Sequence, residues 1–302
     1  MFFMISGYFL YDKSKTEQLG EKKAFSFVKR CTQYMLFGFA FYLVYGFATC
    51  FIDKTDPSKF FVSLYANDFI KNFLLLNSNP LKDAYHLWFI IALFVVSILH
   101  FLIVKFKKTK WYLAIVPLCT AVHLFFNGYV IDYGGTVVGM VYTRNALFFG
   151  LPMFGLGYLL AQVNFHKIKW LNFLYLALGC LFFYLQMEEA KKLVREVYLS
   201  SILSAVFLLL FFVGLKPIGA KIYYAIVGKS ISFYVYIIHL AVGKRLEKHV
   251  VFDDLYLKCL AIFLISILLY EICYLSIQVI KIVTKKLKKR FGANLKMKRD
   301  FE

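Results

Sequence analysis

Three polar side chains in a largely apolar sequence have the chemistry needed for proton transfer and anion binding. His86 and His239 carry imidazoles, which take up and release protons near neutral pH. Arg144 carries a guanidinium, and with the neighbouring Asn145 it can bind a carbonyl, a phosphate or sugar hydroxyls. Alternatively, Arg144 only sets the topology or contacts lipid headgroups. Tyr236 lies one helical turn before His239, so the two share a helix face. We predict catalytic roles for His86, Arg144 and His239, and substrate binding by Asn145 and Tyr236.

The segment that must position His86 is a membrane span. Residues 87–104 contain no Asp, Glu, Lys or Arg, and a helix of this length nearly covers a hydrocarbon layer of about 30 Å. Trp88 lies at one end, where an amphipathic ring prefers the headgroup level. Lysines crowd the other end and mark it as cytoplasmic: Lys105, Lys107, Lys108 and Lys110. His86 is thus expected at the outer mouth, with Trp88 binding substrate; alternatively, both are interfacial anchors.

Composition indicates a membrane protein. The 302 residues are 61% hydrophobic and 20% aromatic, and the mean hydropathy is +0.67, which is too apolar for a water-soluble domain. The apolar runs are separated by short polar links that leave no room for a soluble domain. We therefore predict one membrane domain over residues 1–302, an all-α polytopic helix bundle.

The apolar runs predict about eight complete spans. They are Tyr34–Ile52, Tyr85–Val104, Trp111–Gly128, Asn145–Val163, Trp170–Gln186, Tyr198–Leu215, Ile231–Gly243 and Cys259–Val283. Met1–Tyr11 reads as a partial span, Phe61–Leu76 as an amphipathic surface helix, and residues 285–302 as a basic cytoplasmic tail. This topology places roughly twice as many Lys and Arg inside as outside, in agreement with the positive-inside rule.

Charge and cysteine content exclude several classes of protein. The net charge of +19 lies in short loops beside apolar runs, where it sets orientation and contacts anionic lipid, so we exclude nucleic-acid binding. The six cysteines show neither CxxC nor Cys/His spacing, which predicts no disulfide framework and no metal site.

Two further sites carry charge where it can act on a ligand. Glu271 lies near the middle of the last predicted span, where a carboxylate must be paired, protonated or exposed to water. We predict a substrate-binding role for it, with an interhelical hydrogen bond as the alternative.

Lys29 and Arg30 lie on the predicted inner side, where cations can meet the phosphates of a coenzyme. Alternatively, they only hold their loop inside.

Five motifs in order resemble the integral-membrane acyltransferase 3 family. They are FFMISGYFL at Phe2–Leu10, FVKR at Phe27–Arg30, HLWF at His86–Phe89, RNALFFGLPMFGLGYLL at Arg144–Leu160 and SISFYVYIIHLAV at Ser230–Val242. The resemblance implies O-acetylation of a cell-surface polysaccharide or lipid-linked sugar in a bacterial inner membrane. It also implies acetyl-CoA as donor, with no cofactor held by the protein, and membrane lipid as a further partner.

The chain departs from the family pattern at its start. The family's first span, with an arginine and a histidine held to be central to acyl transfer, normally precedes the FFMISGYFL-like stretch. We expect that span upstream of Met1, so that the sequence is truncated; an inactive fragment is the alternative. A transporter or flippase of a lipid-linked glycan or small solute also remains open, as does a structural membrane subunit.

Overall fold

The computed structural model describes residues 1–11, 17–56, 84–132, 145–163, 170–192, 197–215, 223–251 and 254–299. All regular secondary structure in these ranges is helical, which confirms the all-α prediction. The contacts divide the chain into two compact units, Met1–Ile218 and Gly219–Glu302, and each is described by itself. The single domain over residues 1–302 stays a prediction. The predicted surface helix Phe61–Leu76 lies outside the described residues.

The first unit contains seven α-helices in the described ranges. They are α1 (Phe2–Leu10), α2 (Glu17–Ile52), α3 (Trp88–Lys105), α4 (Tyr112–Asp132), α5 (Leu151–Leu160), α6 (Trp170–Lys192) and α7 (Leu199–Gly214). A π-helix, Ala146–Gly150, runs directly into α5, and short 3₁₀ turns, Tyr85–Leu87 and Thr109–Trp111, precede α3 and α4. In the second unit α8 (Tyr223–His249) and α9 (Leu255–Arg299) pack together as a helical pair.

Five helices of the described chain have the length and hydropathy to cross a membrane. They lie at Leu19–Ile52, Trp88–Lys105, Thr109–Phe126, Trp170–Lys191 and Tyr256–Ser276. The helices at Ala146–Leu160 and Leu199–Gly214 are apolar but shorter, and 16 residues of α7 span only about 24 Å. The predicted Ile231–Gly243 span lies within the longer, charged α8. A multi-pass helical membrane protein is thus confirmed, while the count of about eight spans is not.

The partial span at the N-terminus forms α1 and packs against α5 through paired glycines. A Cβ atom added at Gly7 would overlap the backbone carbonyl of Phe154, and one added at Gly157 would overlap that of Met4. Small residues at such contacts let two helix backbones approach closely, which is how membrane helices gain packing energy without a hydrophobic driving force. Phe3, Met4 and Gly7 are consequently buried. Residues of α1 thus form part of the core of the first unit.

The helices α6 and α7 form a hairpin with polar links along its length. Ser204 donates a hydrogen bond to the Gly179 carbonyl at 2.9 Å, and Asn172 donates one to the Gly214 carbonyl at 3.0 Å. Hydrogen bonds of this kind join membrane helices where apolar contact alone is weak. Apolar rings on the outer face remain exposed, with Phe173 77% accessible. Such a surface fits a lipid environment.

Candidate functional site

His86 is held inside the first unit. It lies in the 3₁₀ turn before α3, and its side chain is 7% exposed. Its Nε2 is 3.5 Å from the Tyr42 hydroxyl of α2, and the two rings meet edge to face with centroids 5.2 Å apart. A buried imidazole beside a tyrosine favours a role in the interior over that of a headgroup anchor.

Trp88 and Asn145 each contact the π-helix Ala146–Gly150. The indole of Trp88 lies 6.3 Å from the Phe149 ring, centroid to centroid. Asn145 caps the π-helix that carries Phe149, since its side-chain oxygen accepts a hydrogen bond from the Phe148 N–H at 2.7 Å. Asn145 is 3% exposed, and π-helical turns occur often at functional sites. Both predicted substrate-binding residues thus contact this π-helix, and their roles stay predictions.

The predicted convergence of His86, Arg144 and His239 stays a prediction. Arg144 lies outside the described residues, although its neighbour Asn145 lies within them. His86 belongs to the first unit and His239 to the second.

His239 has a ring orientation set by its own helix. Its Nδ1 lies 2.7 Å from the backbone oxygen of Tyr236 and 3.2 Å from that of Val235. Because a carbonyl oxygen only accepts hydrogen bonds, Nδ1 must carry the proton. The neutral ring then has its lone pair on Nε2, as a general base requires. The Tyr236 and His239 rings lie on the same helix face with centroids 5.8 Å apart, and the predicted role of Tyr236 in substrate binding stays a prediction.

Glu271 is half-buried on α9. No hydrogen bond or ion pair reaches its carboxylate from the part of the chain that the structure describes. The alternative of an interhelical hydrogen bond to tyrosine or serine is therefore not met within those residues. The predicted substrate-binding role of Glu271 stays a prediction.

Lys29 and Arg30 are exposed on α2 and lie over aromatic rings. The Lys29 ammonium is 4.8 Å from the centre of the Phe25 ring, and the Arg30 guanidinium is 6.0 Å from that of Phe27. Cation–π contacts orient these charges and leave them open to an anionic ligand. Their predicted role in binding a coenzyme phosphate stays a prediction.

A second buried histidine has a partner that the spacing rules missed. The sequence predicts that His100 and His123 are core histidines, since neither has a polar partner near in sequence. Both are buried, His100 at 1% and His123 at 0% exposure, and Nδ1 of His100 lies 2.8 Å from the Tyr112 hydroxyl. The sequence feature that could have indicated the His100–Tyr112 contact is the short turn between α3 and α4, because it places the end of one helix beside the start of the next. The ring of His123 packs on Phe149 at 5.1 Å.

These features define a multi-pass membrane protein with buried imidazole–tyrosine contacts. A family model described as an acyltransferase domain, that of the acyltransferase 3 family, matches residues 1–280. The chain belongs to this family, which confirms the resemblance carried by the five motifs. It is an acyltransferase, an enzyme that transfers acyl groups other than aminoacyl groups. Comparison with curated proteins and with solved structures gave no match.

Proposed function

We propose that the protein is an O-acyltransferase that moves acetyl from acetyl-CoA to a hydroxyl of a cell-surface polysaccharide or a lipid-linked sugar. It works in the cell membrane, with the C-terminal tail in the cytoplasm. The acetyl group leaves the donor as the thioester bond breaks, and an ester forms with the acceptor oxygen. Such a reaction needs a base for the hydroxyl proton and donors for the developing oxyanion.

The observation that carries this proposal is the geometry of His239. Its Nδ1 is bound to the Tyr236 carbonyl at 2.7 Å, so the lone pair of the neutral ring is on Nε2. A base in this state can take the proton of an acceptor hydroxyl without first losing one of its own. General bases of this kind accelerate reactions by about 10²- to 10⁴-fold.

The acceptor side is assigned to the outer mouth predicted from the sequence. The residues that the sequence predicts for that side are His86, Arg144 and His239 as catalytic groups, with Trp88 and Asn145 as the groups that hold the sugar. Flat aromatic rings pack against the apolar faces of sugars, and an amide both donates to and accepts from hydroxyls. On the donor side, Lys29 and Arg30 meet the phosphates of coenzyme A, because exposed cations attract such groups.

A transporter is the second candidate, and Glu271 is the residue that favours it. Its carboxylate has no hydrogen-bond or ion-pair partner within the described residues, as expected of a group that lines a pathway. A transporter would also be expected to have a broken helix, and Pro152 lies where the π-helix Ala146–Gly150 runs into α5, inside a continuous helical stretch in which proline lacks the N–H for a backbone hydrogen bond.

Transfer of labelled acetyl separates these two functions. The purified chain in proteoliposomes would receive acetyl-CoA labelled in the acetyl group, with cell-envelope polysaccharide as acceptor. The proposal predicts label that stays on the polysaccharide through denaturation and is released by alkali, as an ester is. Empty liposomes and His239→Ala proteoliposomes serve as controls. Movement of polysaccharide across the bilayer without an alkali-labile acetyl group would favour the transporter.

A further inference from the structure

A buried histidine lies in the turn just before α3, and another lies near the end of α3. Each histidine contacts a tyrosine of a neighbouring helix. His86, at the start, lies 3.5 Å from the Tyr42 hydroxyl. His100, near the end, lies 2.8 Å from the Tyr112 hydroxyl. About 14 residues of helical rise put roughly 20 Å between the two histidines. The proposed function uses the first of them and leaves the second without a role.

The end of α3 near His100 has exposed lysines, Lys105 and Lys108, which we call the basic surface. Lys105 and Lys108 are exposed beside the turn that follows α3, over the rings of Phe101 at 5.9 Å and Trp111 at 5.8 Å. Exposed lysines at a membrane surface attract anions such as phosphates. A polyanionic donor is therefore attracted to the end of α3 that contains His100.

Aromatic contacts connect a further exposed cation, Arg30 of α2, to the buried imidazole of His100. The Arg30 guanidinium lies 6.0 Å from the Phe27 ring, and Phe27 stacks on Phe154 at 5.9 Å. Phe154 in turn lies 4.9 Å from the ring of His100. Only two aromatic rings thus separate an exposed cation, already assigned to the donor phosphates, from His100.

The hydrogen bond between His100 and Tyr112 determines which ring nitrogen has the proton. Tyr112 is fully buried, and its hydroxyl must donate to an acceptor. Within the described residues its hydrogen bond goes to Nδ1 of His100. If the phenol donates, Nδ1 accepts and the neutral ring has its proton on Nε2. The opposite arrangement would leave the buried phenol hydrogen without an acceptor.

We propose that His100 and Tyr112 form the acyl-donor centre of the enzyme. The Nε2–H of His100 donates a hydrogen bond to the carbonyl oxygen of an acyl thioester whose anionic end is held at the basic surface. Tyr112 is a positioning residue that fixes the tautomer. Neutral imidazole can donate such a hydrogen bond to a carbonyl oxygen, which binds the thioester and polarises its C=O bond. This inference rests on the proposed function and extends it to the donor.

Conservative variants separate the hydrogen bond from the packing. In His100→Gln the side-chain amide nitrogen falls near the position of Nε2, whereas in His100→Asn it falls near that of Nδ1. We expect kcat to fall about 100-fold in His100→Asn and in Tyr112→Phe, and less than about 10-fold in His100→Gln. The matched control is Tyr158→Phe, which keeps a ring packed against both His100, at 5.3 Å, and Tyr112, at 5.4 Å, and removes a hydroxyl that is not hydrogen-bonded to either of them. It should retain the wild-type rate.

A comparison of two ligands tests the carbonyl contact without catalysis. Acetyl-CoA has the thioester carbonyl, and S-ethyl-CoA has a methylene group in its place. If Nε2–H binds the carbonyl, His100→Asn weakens binding of acetyl-CoA about 10-fold and leaves that of S-ethyl-CoA unchanged. Equal loss for both ligands, or wild-type kinetics in His100→Asn, would overturn the inference while the proposed function stands. Wild-type protein that binds neither ligand would overturn both.

Discussion

Gly157 in α5 packs directly against the backbone of Met4 in α1, so closely that any side chain at position 157 would overlap the Met4 carbonyl. Gly7 stands in the same relation to Phe154, which makes the contact reciprocal. The short helix α1 is fixed to α5 by this contact. Since α5 continues the π-helix capped by Asn145, the packing of α1 bears on the position of the predicted acceptor residues.

A leucine in place of Gly7 or Gly157 should separate α1 from α5. Overpacking of a close contact costs about 1 to 3 kcal/mol, which thermal unfolding of the purified protein in detergent would register as a lower Tm. The control is Gly20→Ala in α2, where the nearest atom to the new Cβ lies 3.9 Å away. That change should be neutral or stabilising, because alanine favours helix more than glycine does. A wild-type Tm in both leucine variants would show that the contact is not tight.

Asn145 combines a structural role and a proposed binding role, and two substitutions separate them. Serine keeps an oxygen that can cap the π-helix but lacks the amide, whereas alanine lacks both. We expect Asn145→Ala to lower the stability by about 1 kcal/mol and Asn145→Ser to keep it near that of the wild type. If the amide holds the acceptor, both variants should raise the KM for the acceptor. An unchanged KM in Asn145→Ser would restrict Asn145 to its capping role.

The ion pair between Glu247 and Lys258 joins α8 to α9 with a distance of 2.6 Å. The hydrogen bond from Lys258 and its positive charge hold the pKa of the Glu247 carboxyl below its ordinary value. A lowered pKa in the folded state means that the contribution to stability is present above the pKa of the unfolded chain. It is lost as the pH falls through the lowered value.

Removing the partner should reverse this shift. In Lys258→Met the pKa of Glu247 should rise toward that of a solvated glutamate, which an NMR titration of the labelled carboxyl would show. The pair is exposed, so the change in overall stability should be small and should shrink further in high salt. Replacing the exposed Lys191, which pairs with Glu188 on α6, provides a control for a general change in charge. A Glu247 pKa that does not move in Lys258→Met would contradict the pairing.

Much of the fold follows from the sequence because apolar runs of sufficient length have few alternatives in a bilayer. The run at residues 87–104 became α3 almost residue for residue. The contact of Gly7 with Phe154 could not be predicted, because it joins residues far apart in the chain and the sequence has 17 glycines. The predicted count of about eight membrane spans is not confirmed, because some of the predicted spans form helices that are short, as α7 is, or charged, as α8 is.

The candidate site was predicted in part, for a physical reason that differs from residue to residue. The spacing of three residues correctly predicted that the rings of His239 and Tyr236 share a helix face, where their centroids are 5.8 Å apart. The hydrogen bond of His239 runs to the Tyr236 backbone, which side-chain patterns do not report. The partner of His100 lies on the next helix, beyond the reach of that rule. Tyr42, beside His86, is one of 22 tyrosines and had no feature that set it apart.

The most direct test of the account is the rate of acetyl transfer in His239→Ala. The matched control is His249→Ala, which removes an exposed histidine at the end of the same helix. With both variants folded, as judged by Tm, we expect kcat to fall about 10²- to 10⁴-fold in His239→Ala and to stay at the wild-type value in His249→Ala. Transfer by His239→Ala at the wild-type rate would contradict the assignment of His239 as the base.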